Sequence, residues 1–412
     1  MNAVDNAVRP LALESLGHLP RATRLALEMF DRLEGGALAL ELPDNQHLRA
    51  GHGQLVAHLR VRDHAVFSEA LARGDIGFAE SYMDGDWDTE DLTGLLTLLS
   101  SNREQLKKAI YGRVLRLIGH RLTHLLRANT RTGSKRNIEA HYDLGNEFYK
   151  LWLDPGMTYS AALFEHADEA LEALEAAQQR KYRRILQQLD VRPGQIILEI
   201  GCGWGGFAEV AATEFSCRVL GLTLSPSQLA HARERAERGG FSDRVQLELC
   251  DYRDVKGQYD HIVSIEMIEA VGERFWPTYF RQLSALLKPG GRCVVQSITI
   301  ADELFARYRR GTDFIQRHIF PGGMLPSPAV VQQQAGRVGL EVVDDFAFGP
   351  DYGRTLARWR ETFEARVAEV RALGFPDRFI RMWRFYLAYC EAGFNTGDIG
   401  VRHYTFTHAA AR

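Results

Sequence analysis

The chain predicts an α/β fold, a doubly wound and mostly parallel sheet, with a smaller N-terminal α/β module and helical additions. Three observations predict it. Short β-rich runs recur between Leu174 and Val343 with helical patterns between several of them. One run, Gln195-Ile-Ile-Leu-Glu-Ile, ends in the glycine cluster Gly201-Cys-Gly-Trp-Gly-Gly and opens onto a helical pattern. The 412 residues are 45% apolar and 25% charged, an ordinary globular composition long enough for two or three domains.

In chain order, Ala22 to Phe30 has helical spacing and Gly35-Gly36 breaks it. Gln54 to Val61 alternates apolar and polar residues over most of its length, as a half-buried strand does, and Ala65 to Arg73 follows as a helix. From Leu92 to Leu126 the pattern is helical and basic, with Arg103, Lys107, Lys108, Arg113, Arg116 and Arg121, then Arg127. Two readings fit this stretch: a solvated outer face, or an amphipathic helix on anionic lipid, its cations interleaved with Leu95, Leu96, Leu98, Leu99, Leu115, Leu117, Ile118 and Leu122. Residues 128–135 read as a polar linker, which divides the chain into an N-terminal lipid-associated module, 1–127, and a domain over 128–412.

The predicted strands of that domain are Ile196–Ile200, Arg218–Leu222, Val245–Leu249, His261–Ile265 and Cys293–Ile298. Helical patterns at Phe207–Glu214, Ser227–Glu237 and Trp276–Leu287 make the consecutive strands parallel, with helical crossovers. Lys288-Pro-Gly-Gly is a sharp turn before a buried strand. From Ala357 to Cys390 a helical pattern rich in Arg, Trp, Tyr and Phe returns, expected to cover the sheet or the mouth of a site.

A net charge of −3 argues against nucleic-acid binding through bulk charge. The five cysteines, Cys202, Cys217, Cys250, Cys293 and Cys390, form no CxxC pair, so neither a disulfide framework nor a zinc site is expected, and a reducing cytoplasm fits. His120 and His124 have metal-compatible spacing but sit among arginines without a third ligand, so no metal is expected. His141 and His318 read as structural. No stretch approaches the ~20 apolar residues that span a bilayer, so membrane contact is expected to be peripheral, on the inner face.

Glycines in the turn reach positive φ and let a ligand lie against the backbone beside the free N–H groups of a helix start. A hydride-transfer reading expects an acidic ribose anchor ~20 residues on. The second strand instead ends Gly221-Leu-Thr-Leu-Ser, with no acid.

Glu199-Ile-Gly-Cys-Gly-Trp-Gly and Leu287-Lys-Pro-Gly-Gly resemble the S-adenosylmethionine-dependent methyltransferases. His141-Tyr-Asp-Leu-Gly-Asn, Met157-Thr-Tyr-Ser, Asp251-Tyr-Arg-Asp, Met267-Ile-Glu-Ala-Val-Gly and Ile319-Phe-Pro-Gly-Gly-Met-Leu-Pro-Ser together resemble the cyclopropane-fatty-acyl-phospholipid synthase family. Ala79-Glu-Ser-Tyr-Met-Asp-Gly and Ala392-Gly-Phe extend the resemblance to nearly the whole chain. It implies a Rossmann-like methyltransferase fold and S-adenosylmethionine over Gly201, Gly203 and Gly205, its methionine end met by Tyr142, Tyr159 and Ser160. Thr223 and Gln228 correspond to cofactor contacts near the second strand, and Asp251, Tyr252 and Arg253 to the place of the adenine.

The family's reaction lets the π electrons of an unactivated cis double bond in a phospholipid acyl chain attack the sulfonium methyl. Such a nucleophile needs orientation and a water-poor site more than deprotonation. Loss of a proton from the new methyl closes a cyclopropane; loss from a neighbouring carbon leaves a branched alkene. Cyclopropane-forming relatives hold bicarbonate as proton acceptor with a glutamate, a tyrosine, a cysteine and a histidine. Glu269 and Tyr352 match two of these places; Ala161 stands at the cysteine place, Gln296 at the histidine place, and Ala270 where a histidine commonly follows the glutamate. Glutamine donates a hydrogen bond but carries no proton, and alanine offers no side-chain group, so a weaker or rearranged bicarbonate grip is expected. Glu269, flanked by Met267, Ile268 and Val271, is then a candidate base, or else a carboxylate bonded to a backbone or to Tyr352. Methyl transfer is expected to be retained, with elimination favouring a methylated or methylene chain over the ring. The competing readings are methyl transfer to a small soluble acceptor and a non-enzymatic lipid-binding protein with a degenerate site. The resemblance also implies a homodimer.

Overall fold

The computed structural model describes residues 9–10, 17–110, 144–166 and 172–410, with backbone alone at 9–10 and 107–110. The basic residues from Lys107 onward, the linker at 128–135, the boundary at 127/128, and His120, His124, His141 and Tyr142 therefore lie outside the described side chains or residues. Among the described residues no helix is long and apolar enough to cross a membrane.

The described residues form two compact units. The first gathers those up to 110 with 313–317 and Val367–Thr396. Its five-stranded sheet has the order β1 (Arg9–Pro10), β3 (His47–His52), β2 (Gly36–Glu41), β4 (Leu55–Val61), β5 (Trp87–Asp88). The alternating segment forms β4, and the helix after it spans Ala65–Arg73 as its spacing predicts.

The second half of the C-terminal helical pattern, expected to cover the sheet or the mouth of a site, belongs to this first unit. Helix Asp377–Asn395 packs on helices Leu92–Ser101 and Asp75–Asp84. Arg381 explains why: its guanidinium lies 3.9 Å from the Tyr82 ring centroid and donates to the carbonyls of Tyr82 and Trp87. Thr93 Oγ1 donates to Glu391 Oε2 at 3.0 Å. Leu95, Leu96 and Leu98, assigned to a lipid-facing stripe in one sequence reading, are buried within the unit. Their apolar periodicity is that of a core-facing helix.

The same unit holds a buried acid pair. Asp75 Oδ2 accepts from Phe314 N at 3.2 Å and from Tyr389 Oη at 2.9 Å. Loss of water and the neighbouring Asp75 push Asp313 from the ordinary range up to about 7. A carboxyl with a raised folded pKa stabilises most below its unfolded pKa, and that stability is lost as pH rises through about 7. Asp313 Oδ1 accepts from Gln316 N at 2.8 Å, a bond that an asparagine oxygen keeps. Asp313→Asn is therefore expected to remove much of a loss on the order of 2–4 kcal/mol between pH 4 and 8. Urea titrations across that range check it; parallel curves for variant and parent would contradict it.

The second unit holds 144–166, 172–312, 318–366 and 397–410. Its seven-stranded sheet runs β11 (Leu340–Ala347), β12 (Ile399–His408), β10 (Leu287–Ile300), β9 (Tyr259–Ile265), β6 (Ile196–Ile200), β7 (Arg218–Thr223), β8 (Val245–Leu249). The five expected strands are the parallel ones, from β10 to β8. β12 adds antiparallel to β10, and β11 antiparallel to β12. Apolar residues of β6, β7, β9 and β10 bury against helix Leu174–Leu189 on one face and helix Trp276–Leu286 on the other. Strand order reverses between β6 and β9, the switch point at which doubly wound sheets open a crevice for ligands.

Candidate active site

The glycine turn leaves β6 on one side of that switch point. Gly201, Gly203 and Gly205 have φ of 87°, 51° and 87°. Gly201 N and Cys202 N both donate to Leu222 O, at 3.0 and 2.8 Å, which folds the turn over the end of β7. A Cβ on Gly201 would lie 3.2 Å from Met267 Cγ, and one on Gly205 3.1 Å from Ala232 Cβ. Nothing stands within 4 Å of the equivalent position on Gly203, so the backbone is open there to a ligand. Arg235 braces the turn, donating to Trp204 O at 3.2 Å, Gly156 O at 2.8 Å and Glu209 Oε2 at 2.6 Å.

Thr223 and Gln228 follow at the end of β7, and Asp251, Tyr252 and Arg253 at the end of β8. Thr223 Oγ1 donates to Gln228 Oε1 at 2.9 Å and accepts from Ser225 N at 3.1 Å, while Ser225 caps helix Pro226–Arg238. After β8, Arg253 donates to Asp251 Oδ1 from Nε at 2.8 Å and to Oδ2 from Nη2 at 2.5 Å, closing a bidentate pair beside the buried ring of Tyr252. Ser160 Oγ accepts from Lys181 Nζ at 2.6 Å. Tyr159 lies in an aromatic cluster with Tyr149, Trp152 and Trp359, at centroid distances of 5.4–5.6 Å.

Lys181 is fully buried and also donates to Gln178 Oε1 at 2.8 Å. Burial lowers it to about 7, against the pull of Glu266, Asp154 and Glu199. Burial raises Glu199 to about 8, with Lys181 opposing, and Glu199 Oε2 has no hydrogen-bond partner among the described residues. An orphaned buried oxygen beside an open glycine backbone is a place prepared for a ligand's donor groups.

On the other side of the switch point, β9 ends in Ser264-Ile265, and Glu266, the next residue, is the one the sequence reading missed. Gln296 pairs in register with Ile265 of β9 and with His403 of β12, so three adjacent strands set these side chains in a row. Gln296 Nε2 donates to Glu266 Oε1 at 2.7 Å, Tyr352 Oη to Oε2 at 2.7 Å, and Ala161 N to Oε1 at 2.8 Å. Helix Gly349–Ala365 carries Tyr352 and also fixes the approaching segment, since Ala162 N donates to Thr355 Oγ1 at 3.0 Å. Loss of water raises the Glu266 carboxyl, with the Tyr352 bond acting against it.

Tyr352, Gln296 and Ala161, expected to surround one proton acceptor, thus do converge, but on Glu266. Glu269, expected to join them, accepts from Ile298 N through Oε1 and leaves Oε2 buried without a partner among the described residues. Burial and the neighbouring Glu266 raise it to about 8, which leaves it largely protonated at neutral pH. The pattern Glu-x-x-Glu at the end of a strand was the available signal for Glu266; the family motif drew attention to its second carboxylate alone. Among the described residues no group of three His, Cys, Asp or Glu stands in position to hold a metal.

A doubly wound sheet with an open glycine turn on one side of its switch point and a donor-ringed carboxylate on the other is the arrangement shared with S-adenosylmethionine-dependent methyltransferases, and the comparisons show the chain to be an enzyme of that class. It belongs to the cyclopropane synthase family: the family described as Mycolic acid cyclopropane synthetase matches residues 129–404. The tuberculostearic acid methyltransferase UfaA1 of Mycobacterium tuberculosis is 42% identical over 82% of this chain and 81% of its own. The cyclopropane-fatty-acyl-phospholipid synthase of Escherichia coli K12 is 36% identical over 87% of this chain and 91% of its own. Among solved structures, mycolic acid cyclopropane synthase CmaA1 complexed with SAH and CTAB aligns with a TM-score of 0.62 at 31% identity, covering 66% of this chain and 97% of that one. S-adenosylmethionine is the cofactor, and the open Gly203 backbone and unpaired Glu199 oxygen fit it.

Proposed function

We propose that this enzyme transfers the methyl group of S-adenosylmethionine to a cis double bond of an unsaturated phospholipid acyl chain, at the membrane surface, and releases a methylene or methyl-branched chain rather than a ring. The cofactor supplies an electrophilic methyl; this chain's residues supply a dry, oriented site and a proton acceptor. The observation that carries the lipid reading is a continuous aromatic wall. Trp204, in the glycine turn, lies 5.2 Å from Tyr149, and Trp152, Tyr159 and Trp359 continue the wall to Tyr352, whose hydroxyl bonds Glu266. A packed apolar cluster running from the cofactor turn to Tyr352 makes a water-poor surrounding that suits a hydrocarbon and disfavours the water that would quench a carbocation. The absence of the cysteine and histidine of ring-forming relatives, at Ala161 and Gln296, supports the product assignment, as does a 42%-identical relative named as a methyltransferase.

The test is mass spectrometry and proton NMR of phospholipids from a host expressing the protein and supplied with labelled S-adenosylmethionine. Unsaturated chains should gain one labelled CH2 and show vinylidene or branched-methyl signals. No gain on any unsaturated chain would overturn the acceptor assignment, and cyclopropane signals alone would overturn the product assignment.

A further inference from the structure

We propose that Glu266 is the enzyme's own general base, standing where ring-forming relatives are expected to hold bicarbonate and taking over that ion's hydrogen bonds. The inference rests on the acyl-chain methylation proposed above. The residues present do not fit a separate ion: the Tyr352 hydroxyl, the Gln296 amide and the Ala161 N–H, three donors that would grip it, are all spent on the Glu266 carboxylate.

Backbone geometry is a second, independent sign. Glu266 has φ of 50°, a left-handed conformation that suits glycine and strains a side-chain-bearing residue. Its own N–H is held by Gln296 O at 2.8 Å, so the strand edge fixes this conformation. A strained position filled by a carboxylate, and ringed by donors, is the arrangement of a functional group held in place by its surroundings.

The donors also have a fixed direction. Arg184 Nη1, 3.0 Å from His403 Nδ1, has no lone pair to offer, so Nδ1 accepts and His403 carries its proton on Nε2. Nε2 then donates to Gln296 Oε1 at 2.8 Å, which turns the amide Nε2 towards Glu266. Arg184 is itself anchored on Asp344 Oδ2 at 3.0 Å. The chain Arg184, His403, Gln296 presents only N–H to the carboxylate and holds it as an acceptor. Oε1 accepts two of the bonds and Oε2 one, so Oε2 retains lone-pair capacity for an incoming proton.

The step balances with these groups. The alkene π pair forms the new C–CH3 bond as the sulfonium S–C bond breaks and leaves its electrons on sulfur, placing a positive charge on the adjacent acyl carbon. Glu266 Oε2 removes a proton from a chain carbon next to that cation, whose C–H pair becomes the π bond of a branched alkene; where a 1,2-hydride shift first moves the charge to the methylated carbon, the proton leaves from the new methyl and the product is the methylene chain. The net products are S-adenosylhomocysteine, the modified chain and a protonated Glu266, which returns its proton to solvent after release.

Three proteins test this: wild type, Glu266→Gln and Glu266→Gly. In carbon-dioxide-stripped buffer the wild-type rate should not change when bicarbonate is added. Glu266→Gln should lose ~10²–10⁴-fold in turnover, the usual contribution of a general base, while binding S-adenosylmethionine by calorimetry with wild-type affinity. Glu266→Gly suits the positive φ, which offsets part of the cost of the lost bonds, and leaves the three donors around a carboxylate-sized gap. Added bicarbonate or formate should restore part of its turnover, a response a purely structural glutamate would not show. A bicarbonate requirement in the wild type, near-wild-type turnover by Glu266→Gln, or a folded, cofactor-binding Glu266→Gly that neither anion rescues would each overturn the assignment. Wild-type enzyme inactive on every unsaturated phospholipid would instead overturn the acceptor reading beneath it.

Discussion

Lys181→Met should lower turnover severalfold at and below pH 7 and regain much of it by pH 9, because it removes a cation that favours the charged form of a nearby carboxylate, and the wild-type amine, lowered to about 7, is itself largely uncharged at pH 9. Lys181 is the cation that acts on Glu266, Glu199 and Asp154 together, and each of these carboxyls is raised by burial. A base works in its deprotonated form. With the cation gone, Glu266 holds its proton to higher pH, so the acid limb of the pH–rate profile moves upward while the plateau at high pH survives. The ammonium also fixes Ser160 through the 2.6 Å bond from Nζ, so KM for S-adenosylmethionine should rise in the same variant, and this part should not recover at high pH. A pH–rate profile with separate kcat and KM distinguishes the two effects. A uniform loss across pH would show that Lys181 acts by packing alone.

The parallel strands and the glycine turn were legible because their signals are local: apolar runs of strand length, the first closed by the glycine cluster and the second by the helix-capping Ser225. The antiparallel strands β11 and β12 were not, since Ile399–His408 mixes histidine, arginine and threonine with apolar residues and acquires its place only by pairing with β10. His403 reads as one more isolated histidine in sequence; its meaning comes from standing opposite Gln296 across that pair. Assignment of the C-terminal helices failed for a related reason. The aromatic periodicity of Asp377–Asn395 announces a buried face but not the surface that buries it, which turned out to be residues some 300 positions earlier, such as Tyr82, with which Arg381 bonds.

The candidate site divides along the same line. Thr223, Gln228, Asp251 and Arg253 follow strands whose ends sequence already marks, so their gathering on one edge was foreseeable, though their bonds to one another were not. Glu266 and Glu269 are three residues apart and chemically identical. What separates them is that Glu266 is the first residue beyond β9, its N–H held by Gln296 O next to the register pair Ile265–Gln296, whereas Glu269 has entered the short helix Ile268–Val271 and turns to the Ile298 backbone. Which carboxylate meets the three donors is set by pairing in the assembled sheet.

Trp359→Ala is expected to cost ~3–5 kcal/mol of stability and, where the variant remains folded, to let water reach the site. Trp359 is fully buried on helix Gly349–Ala365 and packs at 5.6 Å on Trp152, 5.4 Å on Tyr159 and 6.1 Å on Tyr352. Tyr352 lies two turns earlier on the same helix face, so the indole holds the phenol that donates to Glu266. Its Nε1 has no hydrogen-bond partner among the described residues, so the ring acts by shape. Trp359→Phe, which removes that unpaired donor and keeps most of the apolar body, should therefore cost much less than the alanine change. The alanine cavity borders the aromatic wall and the ring of Tyr352, whose hydroxyl bonds the base. Water admitted there would compete with Glu266 for the carbocation and leave an alcohol on the methylated chain in place of an alkene. Urea unfolding gives the stability loss, and mass spectrometry of the lipid product gives the fraction that has gained water. If Trp359→Ala loses stability but yields the parent product unchanged, the tryptophan is only core, and the water-excluding role of the wall lies with Tyr149, Trp152 and Tyr159.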